Sequence, residues 1–284
     1  MKKSLFAALI VTLVLVPVCS AEKSIGLTLA QIEAERKAIT TETVEPTEQQ
    51  AEEFWQTYWQ YRGGVKMLTD RVLEVVEEFA AADGALSGNR SAALVLEVMD
   101  IEKRRADLKQ TYLKKFQKIL DSRQVVRWYQ AERKMDSLIR AEMAASIPFN
   151  DLASRTGEEL TGTEIRSSRE ALALAIVQPL ENQTDTFLYV YRIYNKKIVK
   201  LEDRISDLIA EYVKSNATLS DEQAKRMTKE SAEIDVARVK ALGTMIYSLR
   251  GDLTGKQMAR LMQGELKMNA ITDLVLAAAI PLHP

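Results

Sequence analysis

The chain has 284 residues with 39 basic and 40 acidic side chains, so its charge gives no electrostatic case for nucleic acid as a partner. It holds one cysteine and one histidine, too few for a disulfide framework or a Cys/His metal cluster, and with Cys19 in the N-terminal apolar stretch and His283 next to the last residue no Ser/His or Cys/His catalytic couple is expected. Glycine (11) and proline (6) are scarce, which is a helical composition.

In chain order, the first predicted element is a signal peptide over residues 1–21. Lys2 and Lys3 precede an apolar run from Leu5 to Val18, and Cys19-Ser20-Ala21 supplies small residues for cleavage before Glu22. Val18 is a poor fit to lipoprotein processing at Cys19, so lipid attachment is not expected. No later apolar run approaches transmembrane length. The expectation is an exported, periplasmic chain stabilised by packing, without disulfides.

Helix starts follow. LTLAQI at 27–32 places Thr28 three residues before Gln31, a capping box, with Leu27 and Ile32 spaced as a hydrophobic staple. Further starts lie at Thr47 with Gln50, at Ser87 with Arg90 (only half a box), and at Asp121 with Gln124. They predict a short helix, two long ones and a medium one ending near Ala145. Asp83-Gly84 supplies the turn between the long pair.

The same order then returns. LTGTEI at 160–165, LSDEQA at 219–224 and LTGKQM at 253–258 stand 133 residues after their counterparts. The whole chain aligns with itself at that offset without a gap, with roughly a quarter of the aligned positions identical. Arg36 falls on Arg169, Tyr58 on Tyr191, Arg105 on Arg238 and Glu132 on Glu265. The organisation read from this is a helical repeat over 22–149, a polar linker NDLASRTGEE at 150–159, and a second repeat over 160–284. The fold class is all-α: two tandem copies of a four-helix unit, each built on a long antiparallel hairpin with coiled-coil spacing. Phe54, Tyr58, Tyr61, Val65, Leu68, Val72, Val75 and Phe79 step by 4-3, and Phe187 to Tyr212 repeat the steps.

Several features are candidates for function. FWQTYWQY at 54–61 and FLYVYRIY at 187–194 carry an aromatic surplus. Phe54, Trp55, Tyr58, Trp59, Phe187, Tyr191 and Tyr194 are either covered by the fourth helix or the other copy, or form a surface for partner proteins. Arg105 and Arg238 occupy apolar heptad positions, with Arg105 expected near Tyr61, either stacked and register-setting or binding. Arg127, Gln130 and Lys134, matched by Arg260, Gln263 and Lys267, read as an inter-helix polar network or a polar contact site. Gly63-Gly64 is a close helix contact or a hinge. Met227, Met245, Met258, Met262 and Met268 read as core filling, with copper the alternative. No cofactor, metal or catalytic residue is expected, although carboxylate acid/base chemistry has no sequence argument against it.

With its Leu-Thr-x-x-Gln starts at Leu27–Gln31 and Leu253–Gln257, and a Ser variant at Leu219–Gln223, the chain resembles the Spy/CpxP family of bacterial periplasmic proteins. The resemblance implies an ATP-independent chaperone or envelope-stress modulator: a helical cradle, usually a homodimer, holding unfolded clients on a concave face. A tandem duplication would build that cradle within one polypeptide, as an intramolecular pseudo-dimer. The histidines of metal-sensing relatives are lacking, so metal sensing is not carried over. The segment from Tyr112 to Phe149 also resembles uncharacterised secreted proteins of proteobacteria. The competing reading is a structural or adaptor protein of the cell envelope with one specific protein partner.

Overall fold

The computed structural model describes residues 29–81, 86–145 and 161–282. The expected signal peptide, the linker at 150–159, the Asp83-Gly84 turn, the Thr28 cap and His283 lie outside the described residues. The described residues are helical apart from short connections, with no strand among them. The first half holds α1 (Leu29–Val44), α2 (Glu48–Ala81), α3 (Gly88–Ile119) and α4 (Ser122–Ala145). The second holds α5 (Gly162–Val177), α6 (Glu181–Ser215), α7 (Asp221–Leu249) and α8 (Gly255–Ala278), with a 3-10 turn at Asn216–Thr218. Leu29 and Gly162, Glu48 and Glu181, Gly88 and Asp221, Ser122 and Gly255 open matched helices, an offset of 133 in every case.

The caps explain these starts. Thr161 with Glu164, Ser220 with Gln223 and Thr254 with Gln257 form reciprocal capping boxes. Asp121 does the same, accepting from the Gln124 N–H at 2.8 Å while Gln124 Oε1 accepts from the Asp121 N–H at 2.9 Å. Ser87 accepts from the Arg90 N–H at 3.2 Å, and the Arg90 side chain turns instead to Glu78. The staple residues Leu253 and Met258 are both buried.

Corners between α1 and α2, and between α5 and α6, are also matched. A residue before proline is kept out of the right-handed helical region. Glu45 and Gln178, which precede Pro46 and Pro179, take positive φ of 53° and 49°. Each corner is held from the fourth helix of its own half. Gln124 Nε2 donates to the Glu45 carbonyl at 2.8 Å, and Gln257 Nε2 to the Gln178 carbonyl at 3.2 Å.

Helices α2 and α3 pack as one hairpin and α6 and α7 as the other, each arm about 50 Å long at 1.5 Å per residue. The heptad seams face inward: every α6 seam residue from Phe187 to Tyr212 is buried. Helices α3 and α4 pack on α7 and α8 in all four cross-pairs, so the two halves share a central layer. Flanking it are α1 against α4 and α5 against α8. One apolar cluster joins Val75, Leu94 and Val98 of the first half to Phe187, Tyr191, Met245 and Met262 of the second. The tip of one hairpin thus lies beside the base of the other.

Helix α2 runs unbroken through Gly63-Gly64. A Cβ on Gly64 would stand 2.9 Å from Leu108 Cδ2, so this glycine lets α3 approach; Gly63 faces open space. Where α3 meets α8, a Cβ on Gly255 would fall 1.9 Å from the Gly88 carbonyl oxygen. Glycine is required there because two backbones touch.

Candidate functional site

The aromatic bands divide once the helices pack. Phe54, Tyr58, Phe187, Tyr191 and Tyr194 are buried, so for these five candidates coverage holds and not a partner surface. Trp128 of α4 covers the first band, its ring 4.3 Å from Phe116 and 5.6 Å from Tyr61. In the second half Met258, Leu261 and Met262 of α8 cover the other, together with the hairpin tip of the first half. All five methionines named as core filling are buried. What stays outside is a ridge on α2. Trp59 is 47% exposed and stacks on half-buried Trp55 with centroids 5.8 Å apart. Lys37 lies 5.4 Å from the Trp55 ring, and Met67 is exposed two turns further along α2. On α6 the exposed apolar side chains are Tyr189, Ile193 and Val213, with exposed Leu180 at its N-cap.

Beneath each band sits a buried ionic cluster centred on a glutamate of the fourth helix. Glu132 accepts from Tyr58 Oη at 2.6 Å, Arg62 at 2.9 Å and Arg36 at 3.4 Å. Glu265 accepts from Tyr191 and Tyr194, both at 2.6 Å, and from Arg169 at 2.9 Å. Arg169 is wholly buried and also donates to Glu202 at 3.1 Å. Burial, and then the neighbouring glutamate, raise the pKa of Tyr58, Tyr191 and Tyr194, so these phenols stay neutral donors.

The proposed polar network does not form as one unit. Arg127 pairs with Glu45 at the first corner, and Arg260 donates to Gln178 Oε1 at 3.5 Å at the second. Lys134 instead donates to the carbonyls of Ala278 (3.3 Å) and Ile280 (2.7 Å), closing the end of α8 from the other half. Gln130 is buried with its Oε1 unpartnered; Gln263 is half-buried, and Lys267 is engaged. Arg105 bonds Glu102 and Thr69, each at 3.2 Å, and shares a cavity with Tyr61. Arg238 pairs with Asp273 at 2.5 Å.

That cavity lies between the halves, where α3 crosses α7. It measures about 130 Å³ and is lined by Arg105, Lys109, Arg133, Arg140 and Arg238 with Glu102, Asp136, Asp235 and Asp273. Asp235 is the hub: Tyr129 Oη donates to it at 2.6 Å, Arg133 at 3.1 Å and Lys109 at 3.4 Å. Burial alone would raise the Asp235 carboxyl, but Arg133 and Lys109 hold it well below the ordinary carboxylate range. Arg140 and Arg105 likewise overcome burial at Glu102 and hold its carboxyl low. Counterparts differ here: Arg133 stands opposite Leu266 in the repeat, Lys109 opposite Leu242, and Arg140 opposite Asp273. A repeat search therefore passes over these residues, although Glu102 and Asp235 are carboxylates at matched inward positions.

Among the described residues there is no group of His, Cys, Asp and Glu that could hold a metal ion, and no helix long and apolar enough to cross a membrane. No family model, curated protein or solved structure matches the chain.

Proposed function

We propose that the chain is an exported, periplasmic helical binding protein, chaperone-like in the sense that the Spy/CpxP resemblance implies, whose contact surface is the outer ridge of α2. The observation that carries this reading is Trp59, a large aromatic left 47% exposed on a rigid helix and stacked on Trp55. A tryptophan held in place by a neighbour offers a partner apolar area at little entropic cost. An extended, apolar protein segment is the partner chemistry that such a ridge fits.

The test is suppression of aggregation. Mixed at stoichiometric ratio with a thermally aggregating client, the wild-type protein should lower light scattering, and Trp59→Ala should lose most of that effect with unchanged circular dichroism. Equal suppression by the variant would remove the ridge from the mechanism, and no suppression by wild type would end the chaperone reading. A second reading, an adaptor with one specific envelope partner, is favoured by the narrowness of the ridge after five of the seven candidate aromatics are buried. A single dominant protein in pull-downs, lost with Trp59→Ala, would support it.

A further inference from the structure

The cavity between the halves carries more positive charge than its own carboxylates answer. Five cations line it against four carboxylates. Two of those carboxylates are each shared between two cations: Glu102 by Arg105 and Arg140, and Asp235 by Lys109 and Arg133. Asp136 is bonded by Arg62, which approaches from outside the lining set, and Asp273 by Arg238. Two guanidinium donors, Arg105 Nε and Arg133 Nε, are buried without an acceptor. Leaving a buried charged donor unmade costs more than leaving a neutral one. Burial, set only partly against Glu102, holds the Arg105 pKa below its ordinary value. A further negative charge would satisfy both guanidinium groups.

The space is there for it. A water needs only ~10–15 Å³ on this measure, and the cavity has about 130 Å³. Pockets for drug-sized ligands are about 300–1,000 Å³, so the occupant is restricted to a few heavy atoms. The lining also has an apolar part: Ile198, Ile205, Leu242 and Leu276, with Tyr61 and Tyr194. A bare inorganic anion would leave that part unused, whereas a short hydrocarbon would cover it.

We infer that the cavity between the two halves is a binding site for a small organic carboxylate, whose carboxylate accepts from Arg105 and Arg133 and whose short apolar body lies against Ile198, Leu242 and Leu276. Ligand and halves are linked, because the site is built from both: binding stabilises the docked arrangement by mass action.

The experiment is calorimetric titration of the full chain, at fixed ionic strength, with acetate, butyrate, succinate and inorganic phosphate, paired with thermal unfolding in each salt against chloride. Saturable binding of butyrate, tighter than that of acetate or succinate and accompanied by a rise in Tm, is expected. Arg133→Leu, which installs the residue of the matched position Leu266, should weaken binding about tenfold or more, equivalent to ~1.4 kcal/mol. Arg105→Gln should do the same. If that variant does not fold by circular dichroism, Arg133→Leu decides alone. Phosphate binding without carboxylate binding would overturn the carboxylate assignment. A Tm that follows salt concentration without saturation, or equal binding by wild type and Arg133→Leu, would overturn the site.

Discussion

The two halves share helix order, caps, corners and seams, yet they fill and charge their interiors differently. The first half packs its hairpin base with rings: Tyr112, Phe116, Trp128 and Tyr129. At the same positions the second half has Met245, Leu249, Leu261 and Met262. Their glutamate clusters differ too. Glu132 sits beside Arg36 and half-exposed Asp136, while Glu265 and Glu202 close around an Arg169 that has no exposed surface. At the cavity, the first half supplies four of the five lining cations, and the second supplies Asp235 and Asp273. Two copies of the first half would bring eight such cations together against four carboxylates. The difference therefore complements the pairing: the inner walls of the two halves carry opposite surplus charge, beside the apolar cluster that also joins them.

The sharpest way to break the comparison is at the arginines. Arg169→Met removes the one fully buried cation between Glu265 and Glu202, leaving Glu265 only its two tyrosine hydroxyls and Glu202 only half-buried Arg166, and should lose about 3–5 kcal/mol in denaturant unfolding. Arg36→Met leaves Glu132 paired with Arg62 and Tyr58 and should lose only about 1–2 kcal/mol. Equal losses would mean that the two clusters are equivalent after all.

The charge difference at the cavity has its own test. Asp235→Asn strands Lys109 and Arg133, and because the site keeps some solvent access the expected loss is about 2–3 kcal/mol. Asp235 and Glu102 have pKa values depressed by folding, so their stabilisation is complete above the unfolded carboxylate values of ~3.9–4.3 and is lost as pH falls below them. Wild-type Tm should therefore fall steeply below about pH 4, and Asp235→Asn should flatten that slope. An unchanged slope would remove Asp235 from the acid sensitivity.

A smaller effect separates two helix starts, one from each half, that meet at the interface. Gly255→Ala forces a Cβ into the Gly88 carbonyl and should cost about 1–3 kcal/mol. Gly88→Ala meets nothing within 4 Å and should stay within about 0.5 kcal/mol of wild type. The smallest expected difference is at the caps: Thr254→Ala and Asp121→Ala should each cost about 1 kcal/mol, because both boxes are complete.

Local chemistry made much of the fold legible beforehand. A capping box needs residues three apart, and a heptad seam needs residues three and four apart, so helix starts, the long hairpins and their inward faces were written into LTGKQM, LSDEQA and the 4-3 steps from Phe54. The half-buried arginines at 105 and 238 were legible for the same reason, as charges at apolar heptad positions. Closure of the aromatic bands was not, because it depends on Trp128 and Met262 arriving from helices some seventy residues away. Nor was the cavity. Lys109, Arg133, Arg140 and Asp273 look like ordinary solvated charges along their own helices, and only the docking of α3 and α4 on α7 and α8 sets them around one space. Sequence by itself determined where the helices begin and which stripe each one buries, since those are short-range demands of hydrogen bonding and periodicity. Only the tertiary structure decided which aromatics face outward and which charges face each other, since that depends on the pairing of two similar halves across a distance that no local pattern spans.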